Sequence, residues 1–188
     1  MFAGRGTESH EEAAPWPDVA ALVKAHEADP SNLETLEALA LALEGAGRDD
    51  ELAGYYESLA ARHLATGNKD RAIECLRGAY KARPQNPAPA EQLLKLLIAR
   101  RDTAGAEALG LPLLRQLRQL GLPERSLAAA QVLVDVLGPR PDLTAEIAFA
   151  EIGLNRKQKG LRLLIEASRG FIDADNTAGA EECYRELA

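Results

Sequence analysis

The chain has 188 residues, of which 46% are apolar and only 4% aromatic, and its formal net charge is −7. That apolar content excludes a disordered class, and the dominance of Ala and Leu favours closely packed helices over a sheet built on Val, Ile, Tyr and Phe. No apolar run approaches the roughly 18 residues of a membrane-spanning helix.

Residues 1–15 are small, polar and acidic and read as a disordered tail. They lack the roughly 7–15-residue apolar core of a secretory signal, so a soluble cytoplasmic protein is expected. One helical-repeat domain is predicted over residues 16–188. Trp16-Pro17-Asp18 opens its first helix, with Val19, Leu22, Val23 and His26 at helical spacing, and Asp29-Pro30 ends it. Ser31-Asn32 caps the next, whose stripe is Leu36, Leu39, Ala40 and Leu43, and Gly45-Ala46-Gly47 stops it. Asp49-Asp50 start a long helix to about Ala65, and Gly67-Asn68 turns the chain into another that stops at Pro84. Pro87-Ala88-Pro89 opens helix 88–100, with Leu93, Leu94 and Leu97 on one face. Helix 103–120 follows and contains Pro112, which is expected to kink it or split it in two. Helix 123–137 ends at Gly138-Pro139-Arg140-Pro141, and helices at 142–154, 157–173 and 177–188 complete a set of ten.

Residues 53–86 carry the most informative pattern. Tyr56, Leu59, Ala60 and His63 lie on the first helix, and Ala72, Leu76 and Ala79 on the second, followed by Pro84. Small residues at 60, 72 and 79 let two helix axes approach, and larger ones fill the space around them. This spacing resembles the tetratricopeptide repeat, W-x2-L-G-x2-Y followed by A-x3-F and a closing proline. Here Tyr, His and Leu stand where that family prefers Trp, Tyr and Phe. Leu22, Ala25 and Pro30 repeat the spacing of Leu76, Ala79 and Pro84. The resemblance implies an all-α, right-handed α-solenoid of antiparallel helix hairpins.

A second periodicity overlies the pairs. Gly67, Gly121 and Asp175 are evenly spaced, as are Leu59, Leu113 and Ala167, and His63, Leu117 and Phe171. The interval is the same in all three sets, about 54 residues, which three short helices would fill. AIEC at 72–75 lies two such intervals before AEEC at 180–183. Coincidence among Ala/Leu-rich helices and duplication of a three-helix block both account for this. An array of pairs repeats at about 34 residues, and an armadillo or HEAT-like array at about 40–47 fits the turns less well.

Catalytic chemistry finds no support in the residues. His10 falls in the tail, and His26 and His63 fall on helix stripes. Cys75 and Cys183 share one repeat position and read as packing residues. There is no C-x-x-C, no Walker loop, no G-x-S-x-G and no H-E-x-x-H, so neither metal nor cofactor is expected. Arg115 and Arg118, with Arg100 and Arg101, lack interleaved aromatics in an acidic chain, which argues against nucleic acid.

The expected function is therefore a non-catalytic scaffold binding a peptide or helix of another protein. By the resemblance, the first helix of each pair lines a trough. That places Glu57, Ala61 and Leu64 there from one hairpin, and Glu91, Lys95 and Ile98 from the next. Glu57 and Ala61 stand where the family's carboxylate-gripping Lys and Asn would be, so a C-terminal carboxylate is not the expected cargo. Net charge is −9 over residues 1–52, +5 over 53–140 and −3 over 141–188. A basic middle would steer an acidic partner to the centre, although solvated faces account for the same pattern. The alternative function is a structural or self-assembly module of a larger protein. The last helix carries Tyr184 and Leu187 on an apolar face without a successor, which suggests a homodimer through that end.

Overall fold

The computed structural model describes residues 18–187. The tail at 1–15, His10 within it, and the helix opening at Trp16-Pro17 lie outside the described residues. The described chain is ten α-helices with no strand: α1 (Val19–Ala28), α2 (Leu33–Gly45), α3 (Asp49–Ala65), α4 (Lys69–Ala82), α5 (Ala88–Ala99), α6 (Thr103–Gln119), α7 (Pro123–Leu137), α8 (Pro141–Gly153), α9 (Lys157–Asp173) and α10 (Thr177–Leu187). Each packs on its chain neighbours, making an all-α solenoid of stacked antiparallel helices.

Local chemistry sets the boundaries. Asp18, Asn32, Asn68 and Asp102 each accept a backbone N–H from the first turn of the helix they cap. Pro89, Pro123 and Pro141 sit in first turns, where a missing N–H costs nothing. Pro112 does not divide α6, which runs unbroken from Thr103 to Gln119. Pro112 and Ala108, whose carbonyl loses its helical donor, are both on the exposed face, where water can replace the missing N–H.

The hairpin over residues 53–86 forms as its spacing predicts. Leu59, Ala60, His63, Ala72, Leu76 and Ala79 are all buried. The Tyr56 ring lies against Gly78, so close that a Cβ there would sit 2.8 Å from it.

The longer sequence period is physical. Helices α3, α6 and α9 are each 17 residues long and begin one period apart, at Asp49, Thr103 and Lys157. Their followers α4, α7 and α10 begin at the same interval, at Lys69, Pro123 and Thr177. Six of the seven positive-φ residues among those described fall on the same grid: Gly47, Arg101 and Asn155 form one set, Gly67, Gly121 and Asp175 the other, and Gly138 stands apart. Burial follows it too, because Leu59, Leu113 and Ala167 are all buried, as are His63, Leu117 and Phe171. Three copies of a three-helix unit therefore follow α1, which stands where the third helix of a preceding unit would be.

Stacking, in contrast, repeats every two helices. Polar side chains tie helices two apart: Gln116 of α6 to the carbonyl of Pro84, just after α4, Arg125 of α7 to Glu91 of α5, and Arg140, at the cap of α8, to Glu107 of α6. The separations are 32–34 residues. Odd and even helices thus form two layers. Two apolar clusters run between the layers, one from Leu36 to Leu143 and one from Ala145 to Cys183.

Candidate docking groove

In α5, the stripe Leu93, Leu94 and Leu97 turns to the core, which leaves Glu91, Lys95 and Ile98 on the adjoining face. In α7, burial of Ser126, Ala130 and Leu133 leaves Arg125, Ala129 and Val132 on the corresponding face. Between these faces lies a groove of about 240 Å³ with Leu94 at its floor. The Glu91 carboxylate takes two hydrogen bonds from Arg125, 2.9 Å from Nε and 2.6 Å from Nη2, and so ties the two helices together. That pairing holds the Arg125 guanidinium above its ordinary pKa, through its hydrogen bond to Glu91 first. Lys95 is exposed and makes no ion pair among the described residues. Val132 is 41% exposed, so the mouth of the groove is apolar.

Three of the six residues predicted to face a partner, Glu91, Lys95 and Ile98, come together here. Glu57, Ala61 and Leu64 lie on α3 and do not line this groove. Glu57 accepts a hydrogen bond from Asn86 Nδ2 at 3.2 Å, Ala61 is exposed and Leu64 half-buried. The opposite wall, Arg125, Ala129 and Val132, went unpredicted. Its signal was available. Arg125 follows Glu91 at the separation that also takes Lys95 to Ala129 and Ile98 to Val132, and that relates the α5 residues to 57, 61 and 64.

The groove has two counterparts, one three-helix unit away in either direction. Between α2 and α4 lies a groove of about 340 Å³ whose walls include Glu37, Ala40 and Leu41 facing Arg71, Glu74 and Cys75. These occupy the repeat positions of Glu91, Leu94, Lys95, Arg125, Ala128 and Ala129. Between α8 and α10 lies one of about 400 Å³ that includes Phe149, Ile152, Glu182 and Glu186. The α2–α4 and α8–α10 grooves belong to the even layer and the α5–α7 groove to the odd.

Charged side chains line the α8–α10 groove. Arg118 stacks over the Phe149 ring at 4.1 Å, donates to Glu182 at 2.7 Å and lies 3.7 Å from the Glu146 carboxylate. Glu146 is 4% exposed, and its Oε2 has no hydrogen-bond partner. Burial pushes this carboxyl up to about 7, with Glu182 and Asp142 adding to the rise and Arg118 and Arg115 opposing it. Glu151, also buried, takes hydrogen bonds from Lys159 at 2.6 Å and Arg156 at 3.2 Å. The Lys159 bond, more than any other influence, holds its carboxyl below the ordinary range.

The remaining reactive side chains serve packing. His26 meets Tyr55 edge-on at 5.8 Å, and His63 is buried 3.5 Å from Glu37. Burial pushes the Cys75 thiol up to about 11 and raises that of Cys183. Among the described residues no group of three or more His, Cys, Asp or Glu is placed to hold a metal, and no helix is long and apolar enough to cross a membrane.

Ten stacked helices with grooves between alternate members define a helical-repeat protein. No protein-family model matches the chain, and no curated protein matches it. Solved structures similar to it include MamA from Desulfovibrio magneticus RS-1, 15% identical, over 72% of this chain and 92% of that one, with a TM-score of 0.33. BtubC from P. vanneervenii is 16% identical over 89% of this chain and 84% of its own, with a TM-score of 0.44. A thermophilic TPR protein from Thermus thermophilus is 18% identical over 88% of each chain, with a TM-score of 0.33.

Proposed function

We propose that the chain is a non-catalytic scaffold that holds a short peptide or helix of a partner protein in the α5–α7 groove. One observation carries the reading: apolar walls from Leu94, Ile98, Ala129 and Val132 surround a cation, Lys95, that no carboxylate of the described chain neutralises. At about 240 Å³ the groove is smaller than the ~300–1,000 Å³ of small-molecule pockets and suits side chains projecting from a macromolecule. The partner segment is amphipathic and carries an acidic residue opposite Lys95. Predicted partner contacts at Glu57, Ala61 and Leu64 would extend the same strip onto α3. The proposed setting is the cytoplasm, where buried, unpaired Cys75 and Cys183 stay reduced.

Titration of the whole protein with a labelled acidic amphipathic peptide tests this. Lys95→Glu and Val132→Asp are each expected to weaken binding about tenfold, since each removes an attraction and adds a desolvation or repulsion cost. Unchanged affinity in both variants would sink the reading.

A second reading, self-assembly through α10, is favoured by Tyr184. It is 51% exposed at the repeat position that Leu76 and Ala130 bury. Sedimentation equilibrium decides it: a dimer that Tyr184→Asp or Leu187→Asp converts to monomer supports self-assembly, and a monomeric parent protein rejects it.

A further inference from the structure

The α2–α4 groove combines apolar exposure with charge opposite to that of its α5–α7 counterpart. Leu41 on its wall is 59% exposed, the highest value among the exposed large apolar residues. The repeat position that holds Lys95 in α5 is therefore an aliphatic side chain here. Glu37 and Glu74 flank the groove with side chains 51% and 64% exposed. The one cation in the walls, Arg71, is already bound to Glu74 at 2.9 Å. Glu44 stands behind, accepting a hydrogen bond from the Tyr56 hydroxyl at 3.2 Å. The floor is Ala40, Leu59 and the buried imidazole of His63.

We infer that the α2–α4 groove is a second docking site, on the layer opposite the first, and that it takes a basic amphipathic segment of a partner protein. An aliphatic side chain of that segment lies against Leu41, and a Lys or Arg residue meets Glu37, which no Lys or Arg of the described residues pairs. The inference stands on the residues of α2 and α4 and does not require the α5–α7 reading.

Two labelled helical peptides with the same Leu/Ala stripe test it, one flanked by Lys and one by Glu, each titrated against the full chain by fluorescence anisotropy. The Lys peptide is expected to bind saturably and to weaken about tenfold with Leu41→Lys and with Glu37→Lys, while Lys95→Glu leaves that site intact. Both altered side chains are exposed, so unchanged melting curves verify that the variants fold. The inference is overturned if the Lys peptide fails to bind at about 1 mM protein. It is equally overturned if binding ignores both substitutions, or if the Glu peptide displaces the Lys peptide competitively. A Glu peptide indifferent to Lys95→Glu would instead count against the α5–α7 site alone.

Discussion

Gly160→Val is expected to lower the unfolding free energy by about 3 kcal/mol, at the upper end of what overpacking costs. A Cβ at Gly160 would stand 2.5 Å from Ile152 Cγ1 and 2.8 Å from the Ala148 carbonyl oxygen. A side chain can rotate away, but a helical carbonyl cannot, so α8 and α9 would have to separate. These two helices make one of the most extensive contacts in the molecule, and the separation would strip packing from Ala148, Leu164 and Ala167. The position also shows how the three units differ. Its equivalents are Leu52 and Ala106, both buried, so the same site accepts progressively smaller residues as the helices close up. In a protein of this size the loss should lower Tm by roughly 6–12 °C. Gly54→Ala in α3 serves as the contrast, because nothing lies within 4 Å of its Cβ direction. That substitution should stabilise by about 0.5–1 kcal/mol through helix propensity alone. Thermal melts of the two variants should move in opposite directions.

Stability should also fall as pH rises through neutrality, and Glu146 is the cause. Its carboxyl is raised in the folded protein to about 7 from 4.5, so the native state holds a proton that the unfolded chain gives up. Below about pH 4.5 both states are protonated and the group contributes no penalty. Between there and pH 7 the unfolded state ionises alone and gains relative stability. Above pH 7 the native carboxylate is charged while buried, and a rise of that size makes the full penalty about 3 kcal/mol. Glu146→Gln keeps the shape and removes the ionisation. Urea unfolding at pH 5 and pH 8 should show a drop in the parent protein that the variant lacks. Equal pH dependence in both would mean that the Glu146 carboxyl titrates as an ordinary exposed acid. Glu151 acts in the opposite sense, since its lowered carboxyl lends stability that is lost in acid, and this contribution survives in the variant.

Helix positions and the stacking offset were written in local chemistry. Asn32, Asn68 and Asp102 announce helix starts by side-chain type, and Gly47, Gly67 and Gly121 announce left-handed stops. Asn155 and Asp175, the residue types that tolerate this backbone best after glycine, adopt it too, and only at Arg101 does the three-helix period identify the turn where residue type does not. The split that Pro112 allowed does not occur, because its effect depends on which face it occupies, and that is a tertiary fact. Lys95 and Ile98 share a groove with Arg125 and Val132 because one every-other-helix step relates the two walls. The buried carboxylates were out of reach. Glu146 and Glu151 look like surface residues of a short helix, and only the approach of Arg118 from α6 and Lys159 from α9 shows that they are enclosed.

Because each sequence unit holds an odd number of helices while the stack counts in twos, losing or gaining a single unit would carry every later helix across to the other side of the ribbon. Deleting one unit would therefore move every downstream groove to the opposite layer, whereas deleting two would leave it in register. AIEC at 72–75 and AEEC at 180–183 are the two stretches such a double step would superpose. Length variation in such an array is expected to keep the layers in register in even steps and to exchange them in odd ones.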